Sequence, residues 1–313
     1  MNTPIPKVSI YMLAYNVEKF IEAALEGVLR QVVDFPYQIV IAEDCSTDNT
    51  RQSCDRYAAQ FPDKIRVLPS DINRGIAGNA AKALAYCTGQ YIAVCDSDDV
   101  WVDPSKLKKQ VDILDANPQI GAVYSDIEII TEDGDVIVDD QYDFIRRRYS
   151  GGKIFSKLLQ GNFVNNSTGI FRRSLIGDYK IDTDRHYHTY DFLFWLHIAS
   201  QSEFYFLNEK TTQYRTHPNN VTNSGLKLEG NRKKFLEYLP SFLLTFDKCR
   251  PWTPTREEKM VLFRKMLSVL YRTEADIKTK LEIVRILPDY FPGIRSALNL
   301  FASSSQRDTP TSG

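Results

Sequence analysis

Apolar positions along the first 120 residues follow two alternating rhythms. Residues 7–14 (KVSIYMLA), 37–42 (YQIVIA), 65–68 (IRVL) and 91–95 (YIAVC) are short apolar-rich runs, as expected of strands buried on both faces. Between the first two, residues 17–31 place Phe20, Ile21, Ala24, Leu25, Val28 and Leu29 at helical spacing, with acids early and Arg30 late. A second helix is predicted over 50–60, entered through the polar run 46–50. A third, Ala-rich, covers 75–87, with Gly89 as its stop signal. Asp103-Pro104 opens a fourth that runs to about Asn117. Strands alternating with helices in this way predict βαβ units and a mostly parallel sheet, which collects ligands beyond the carboxyl ends of its strands. Ala14-Tyr15-Asn16, Glu43-Asp44 and the acids Asp96, Asp98 and Asp99 all fall at such ends.

Past residue 120 the rhythm loosens. Strands are predicted over 122–125, 127–130, 165–171, 204–207 and 211–214, with a hairpin turn at 132–135 and a mobile loop over 139–152. Asp191 heads the apolar helix FLFWLHIAS. Residues 228–300 read as mainly helical, jointed at Pro251, Pro254, Pro288 and Pro292, and the last dozen as disordered. No internal repeat is present.

The stretch YIAVCDSDDVWVD is where chemistry enters. A strand that ends in Asp96, Asp98 and Asp99, followed by Trp101, gathers carboxylates that repel one another. A divalent cation is the usual way to hold such a group together. Hard oxygen donors suit Mg²⁺ or Mn²⁺, which bind phosphate oxygens in turn. The plain alternative is an acidic, solvated turn.

Charge is uneven. Residues 1–225 carry 23 Lys and Arg against 30 acids, whereas residues 226–300 carry 15 against 9. The basic stretch suggests contact with an anionic surface, or else a solvated helical face. Five cysteines without a CxxC pair read as incidental thiols of a reducing compartment. Without a leader or a long apolar run, the expected location is cytoplasmic, peripheral at the inner face of the plasma membrane if the basic helices touch lipid.

Five motifs in order, VSIYMLAYN, VIAEDCSTDNT, NRGIAGNAAKAL, YIAVCDSDDVW and YDFLFWL with YRTH, resemble the family 2 glycosyltransferases with the GT-A fold. The resemblance covers residues 7–220. It implies a Rossmann-like α/β sandwich over residues 1–225, followed by a helical extension (226–302) and a tail (303–313). It also implies metal-dependent, inverting transfer of a sugar from a nucleotide-diphosphate donor, with Mn²⁺ or Mg²⁺ as cofactor. The acceptor would be a hydroxyl on a saccharide or lipid-linked saccharide of bacterial surface polysaccharide or glycolipid synthesis. No nucleic-acid partner is expected.

Residue by residue, the resemblance assigns donor binding to Ala14, Tyr15, Asn16, Glu43, Asp44, Asn73, Arg74, Asp96, Ser97 and Asp98. Asp44 would accept the imide N–H of uracil, and Glu43 stands where an aspartate is usual. Asp98, Asp99 and His217 would hold the cation. Asp191 would be the catalytic base, although Tyr190 replaces the first acid of the family's usual pair; the alternative for Asp191 is a helix cap. Trp101, Trp195, Tyr214 and Arg215 are candidates for the acceptor platform or lid, with core packing favoured for Trp195. His186 and His188 are further acceptor candidates. A catalytically decayed sugar-nucleotide-binding module is the second reading. A sugar nucleotidyltransferase is a weaker third, because YNVEKF after the first strand lacks a Gly-rich phosphate loop. The absence of GxGxxG there also disfavours a dinucleotide enzyme.

Overall fold

A computed structural model describes residues 5–137, 146–181, 183, 190–218, 220 and 255–270, with isolated positions between 277 and 291. The chain divides into two compact units, residues 1–224 and 225–313. In the first unit the four apolar runs form β1 (Val8–Ala14), β2 (Tyr37–Glu43), β3 (Ile65–Leu68) and β4 (Tyr91–Val94). They pair in parallel, β3 on β2, β2 on β1 and β1 on β4. The connecting helices α1 (Ile21–Leu29), α2 (Thr50–Gln60) and α3 (Gly75–Tyr86) fall where apolar spacing predicted them. Every residue of β4 is buried, which accounts for the unbroken run YIAV.

The sheet continues with β5 (Val100–Trp101), β6 (Ile120–Ile130), β7 (Ile170–Arg172) and β8 (Glu203–Arg215) in the order β3-β2-β1-β4-β7-β6-β8-β5. β7 runs antiparallel to both β4 and β6, β6 and β8 are parallel, and β5 is antiparallel to β8. Helices α4 (Lys106–Ala116), α5 (Phe155–Gln160) and α6 (Tyr190–Gln201) complete the described part of this unit. In the second unit, α7 (Arg256–Leu270) opens with a reciprocal cap. Thr255 N–H donates to Glu258 at 2.8 Å, and Glu258 N–H donates to the Thr255 hydroxyl at 3.2 Å. The rest of the expected helical extension and the tail lie largely outside the described residues. Among the described residues, no helix is long and apolar enough to cross a membrane.

Several sequence expectations need correction. The two strands expected within 122–130 are one strand whose register shifts at Ser125–Asp126–Ile127. Those expected at 204–207 and 211–214 are likewise one, with the pairing skipping from Leu207 to Lys210. Polar residues at a β-bulge read as a break in the pattern. Residues 165–171 are not a strand throughout, because a 3₁₀ turn (Asn166–Thr168) precedes β7. The described end of the supposed loop 139–152 is fastened to the sheet. Tyr149 packs on Phe206 at 4.7 Å between ring centroids, and Gly152 N–H donates to the Phe204 carbonyl at 2.7 Å.

Gly89 has a different role from the helix stop read in the sequence. Its φ is not positive, and α3 has already ended at Tyr86. A Cβ on Gly89 would lie 2.5 Å from the Ser9 backbone nitrogen and 2.9 Å from the Tyr91 carbonyl oxygen. The glycine is there so that the backbone can pass against β1 as it enters β4. Gly89→Ala is therefore expected to cost about 1–3 kcal/mol, read as a lower urea midpoint; an unchanged midpoint would refute the close approach.

Candidate active site

Two polar turns close the carboxyl ends of β1 and β2. Asn16 and Cys45 both adopt left-handed backbone conformations, φ 51° and 62°. Asn16 is held there by accepting the Thr47 N–H at 2.8 Å and donating its own N–H to the Ser46 hydroxyl at 3.1 Å. Glu43 is buried, with one oxygen accepting the Ser46 N–H at 2.7 Å and Arg51 3.7 Å from the other. It braces the turn rather than facing outward. Asp44 is buried beside it, its N–H donating to the Ala14 carbonyl and its Oδ1 accepting the Arg74 N–H at 2.9 Å. Burial raises the Asp44 carboxyl above its ordinary pKa. Asn73 accepts the Gly75 N–H at 2.8 Å, while the Arg74 side chain and the Tyr15 ring (46% exposed) face solvent. Ala14, Tyr15, Asn16, Asp44, Asn73 and Arg74 thus surround one mouth of the sheet, and Arg74 reaches Asp44 through its backbone.

The acidic turn follows β4. Ser97 donates its hydroxyl to the Leu13 carbonyl at 2.6 Å, which ties the turn to β1. Asp96 takes the Asn166 amide at 3.0 Å, and its N–H donates to the Ser167 hydroxyl at 2.9 Å. Asp99 is buried, accepting the Ser167 hydroxyl at 2.5 Å and the Arg215 N–H at 3.0 Å. Asp98 is the most outward of the three, with its side chain 22% exposed. One of its oxygens lies 3.1 Å from both His217 Nε2 and Asn220 Nδ2. Burial, and then the charge of Asp98, pushes Asp96 up to about 7 and holds Asp99 well above the usual carboxylate range.

Ser167 is the residue on which this turn is fastened. Its hydroxyl serves both Asp96 and Asp99, while its carbonyl accepts Trp101 Nε1 at 2.8 Å, Lys106 Nζ at 3.1 Å and the Thr212 hydroxyl at 3.4 Å. Lys106 is fully buried, with its ammonium 3.7 Å from the centre of the Trp101 ring. Burial lowers its pKa to about 7. None of Asn166, Ser167 and Lys106 was singled out from sequence. The small polar run NNSTG between apolar segments was the available signal for the first two.

Asp191 lies in the first turn of α6, one residue inside the helix rather than at its cap. It accepts the Asn162 amide at 3.4 Å, and burial pushes it up to about 6. Its charge helps to raise Asp96, so the two carboxylates sense one another. Tyr190 is buried beneath them, its hydroxyl 3.4 Å from both the Tyr11 hydroxyl and the Asn166 amide. Asn166 therefore bridges Asp96 to the residue that stands in for the missing acid.

The remaining candidates are displaced from a ligand. Trp101 and Trp195 are buried core rings, so neither is an acceptor platform. A Cβ on Gly169 would sit 2.4 Å from the Trp195 ring, which shows how closely that indole is packed. Arg215 donates to the carbonyls of Asp98 at 3.0 Å and Glu132 at 2.8 Å, and its guanidinium lies 5.1 Å from the Phe20 ring centre. It clamps the acidic turn to the 131–135 hairpin. Tyr214 pairs with Ile129 in the sheet. His186 and His188 lie outside the described residues.

Among the described residues, no group of three or more His, Cys, Asp or Glu side chains is arranged to hold a metal ion. Asp99, expected as a ligand, has both oxygens engaged by protein donors. Asp98 and His217 do converge, and a carboxylate with an imidazole is a fitting partial ligand set for Mn²⁺ or Mg²⁺ that also binds phosphate oxygens.

Residues 9–180 match the family described as Glycosyl transferase family 2. The chain belongs to that family. Uncharacterised proteins of Mycobacterium bovis and Mycobacterium tuberculosis are 32% identical over 231 residues, 73% of this chain and 63% of theirs. The chain thus spans less than two thirds of their length. An Escherichia coli protein named UDP-Glc:alpha-D-GlcNAc-diphosphoundecaprenol beta-1,3-glucosyltransferase is 29% identical over 203 residues, covering 64% of this chain and 73% of that one. The fold is the GT-A fold of solved glycosyltransferases. S. aureus TarS in complex with UDP aligns with a TM-score of 0.61 at 17% identity, over 91% of this chain and 80% of that one. A Pyrobaculum calidifontis mannosyltransferase in complex with GDP-Man and Mn²⁺ gives a TM-score of 0.56 at 18% identity, over 97% and 88%.

In this family 2 chain the buried Lys106 makes a thermodynamic prediction. The unfolded lysine keeps its proton to about pH 10.5, whereas the folded one loses it near 7. Between those values the unfolded state binds more protons, so wild-type stability rises with pH, by about 1.4 kcal/mol per unit. Lys106→Met lacks that slope. It is expected to match or exceed wild type in urea unfolding at pH 7 and to lose ground by pH 9; parallel profiles would show that Lys106 stays charged.

Proposed function

We propose that this chain moves a sugar from a UDP-sugar to an acceptor hydroxyl, with inversion, in the synthesis of a bacterial surface polysaccharide or glycolipid. The observation that carries the reading is the pairing of Asp98 with His217 in the turn after β4, beside Asp96, whose carboxyl is raised in part by the charge of Asp191. The UDP complex of TarS and the name of the Escherichia coli relative support the donor and a lipid-linked acceptor. Residues 1–225 are assigned as the catalytic domain and residues 226–302 as a helical extension.

In this mechanism Asp44 accepts the imide N–H of the base, with Tyr15 and the 73–74 backbone beside it. Asp98 and His217 would hold Mn²⁺ or Mg²⁺, whose Lewis acidity would offset charge on the departing diphosphate. Asp191 takes the proton of the acceptor hydroxyl as that oxygen bonds to the anomeric carbon. The carbon–oxygen bond to the diphosphate breaks on the opposite face, and UDP leaves with the bonding electrons. Asn166 and Ser167 keep the acidic turn in place throughout.

Transfer needs Asp191 ionised, so with its carboxyl near 6 the rate should fall as pH drops through that value. Asp191→Asn should lower turnover by about 10²–10⁴-fold while leaving Mn²⁺-dependent UDP binding intact, as read by product formation and calorimetry. Undiminished turnover would remove Asp191 as the base. Absence of UDP binding by wild type would defeat the whole reading, and donor binding without turnover would favour the decayed binding module.

We further assign the basic second unit to peripheral contact with the inner face of the plasma membrane. Ile277, Leu281 and Val284 are exposed at helical spacing, beside Lys280 and Arg285. The chain should sediment with vesicles containing phosphatidylglycerol at low salt, and Leu281→Glu should weaken this. Equal recovery with and without vesicles would exclude the contact.

A further inference from the structure

Phe20 stands at the entry to α1, and its apolar spacing places it on the buried face of that helix. The structure buries it, but outside the core cluster that takes Ile21, Ala24, Leu25 and Val28 from the same helix. Its ring meets the end of β8 instead. The ring centre lies 4.8 Å from that of His217, with the two planes at 39°, and 5.1 Å from the Arg215 guanidinium.

Those two side chains are the ones that address Asp98. Arg215 donates to the Asp98 backbone carbonyl at 3.0 Å, and His217 Nε2 lies 3.1 Å from a carboxylate oxygen of the same residue. Asn220 closes the group. Its Nδ2 donates to that oxygen and to the Arg215 carbonyl, both at 3.1 Å, while its Oδ1 accepts the His217 N–H. These bonds fix where His217 leaves the backbone, and an aromatic face at 4.8 Å restrains the tilt of its imidazole. Arg215 is within cation–π reach of the same ring, so one phenyl group bears on both partners of Asp98.

The seat of α1 explains how Phe20 comes to be there. Phe20, Ala24 and Gly27 recur at i, i+4 and i+7, so they share one face of the helix. A Cβ on Gly27 would lie 2.9 Å from the Trp101 carbonyl oxygen and 3.0 Å from the Trp101 nitrogen, so that face rests directly on β5. Trp101 pairs with Thr212 of β8. The close approach at Gly27 thereby sets Phe20, two turns earlier, against the residues that end β8. Lys19 beside it pairs with Glu132 at 2.9 Å, and Glu132 is the residue whose carbonyl accepts Arg215 at 2.8 Å.

Filling space is the simpler role for Phe20, and any apolar side chain of similar volume would serve it. A flat ring laid against an imidazole is a narrower requirement. We propose that Phe20 is a positioning residue for cation binding, holding the His217 imidazole in the orientation in which it faces Asp98. The inference rests on the reading of Asp98 and His217 as a partial ligand set for Mn²⁺ or Mg²⁺, and adds a residue that acts through His217 without touching the ion.

The test is calorimetric titration of UDP into full-length protein, once with Mn²⁺ and once with EDTA; the ratio of the two affinities measures metal dependence. Phe20→Leu keeps apolar bulk but loses the ring, and should lower that ratio about 10-fold while leaving the affinity in EDTA at its wild-type value. Phe20→Tyr keeps the ring and should keep the ratio. Phe20→Met replaces the leucine variant in the comparison should that one not fold. An unchanged ratio in Phe20→Leu overturns the proposal. So does an equal loss of affinity in Mn²⁺ and in EDTA, the mark of general loosening, or a ratio lost in Phe20→Tyr as well. If wild type binds UDP equally with and without Mn²⁺, the cation reading has failed and the proposal falls with it. A metal-dependent wild type with an unaltered Phe20→Leu removes Phe20 alone.

Discussion

Carboxylates crowded at the end of one strand repel one another, and the active-site architecture is largely a response to that repulsion. Asp96, Asp98 and Asp99 fall within four consecutive positions after β4, with Asp191 close enough to add its own charge to Asp96. Left to themselves they would splay into water. The chain prevents this by engaging two of them with neutral donors, Asn166 on Asp96 and Ser167 with the Arg215 N–H on Asp99, while the Ser167 hydroxyl also accepts the Asp96 N–H. Asp98 remains the outward one, paired with an imidazole and an amide. Neutral hydrogen bonds fix direction without cancelling charge. The repulsion is relieved in part by protonation, since Asp96 is pushed up to about 7 and Asp99 well above the usual carboxylate range.

Long-range contacts follow from the same need. Ser167 can hold the turn only if its own carbonyl is immobile, and three donors from α4, β5 and β8 converge on that oxygen. Arg215, at the end of β8, spans from Asp98 to the hairpin at 131–135. Elements distant in sequence are thus tied to one short loop. Preorganisation of this kind is how a rigid sheet keeps reacting groups in register.

The sequence made the parallel half of the fold legible, because βαβ units bury strands on both faces and leave unbroken apolar runs such as YIAV. The other half was harder to read. In β6 and β8 the bulges insert polar residues such as Asp126 and Glu209, which periodicity alone interprets as loop. For the site, Asp44, Asp98 and Asp191 could be named because acids at strand and helix ends stand out. Arg215 and Trp101 were given ligand-facing roles because residue type does not reveal direction, whereas core packing was rightly favoured for Trp195. Ser167 and Lys106 escaped notice for a related reason. Their importance lies in which carbonyl or carboxylate they meet, and that depends on a pairing of β4 with β7 that local patterns do not encode.

Tyr190 shows how the same framework absorbs a departure from its family. Where relatives resembling this chain carry a first acid, a phenol is buried against Tyr11 and Asn166. A second carboxylate there would add charge beside Asp96 and Asp191, both already raised by burial. A neutral hydroxyl instead lengthens the hydrogen-bonded support behind Asp96.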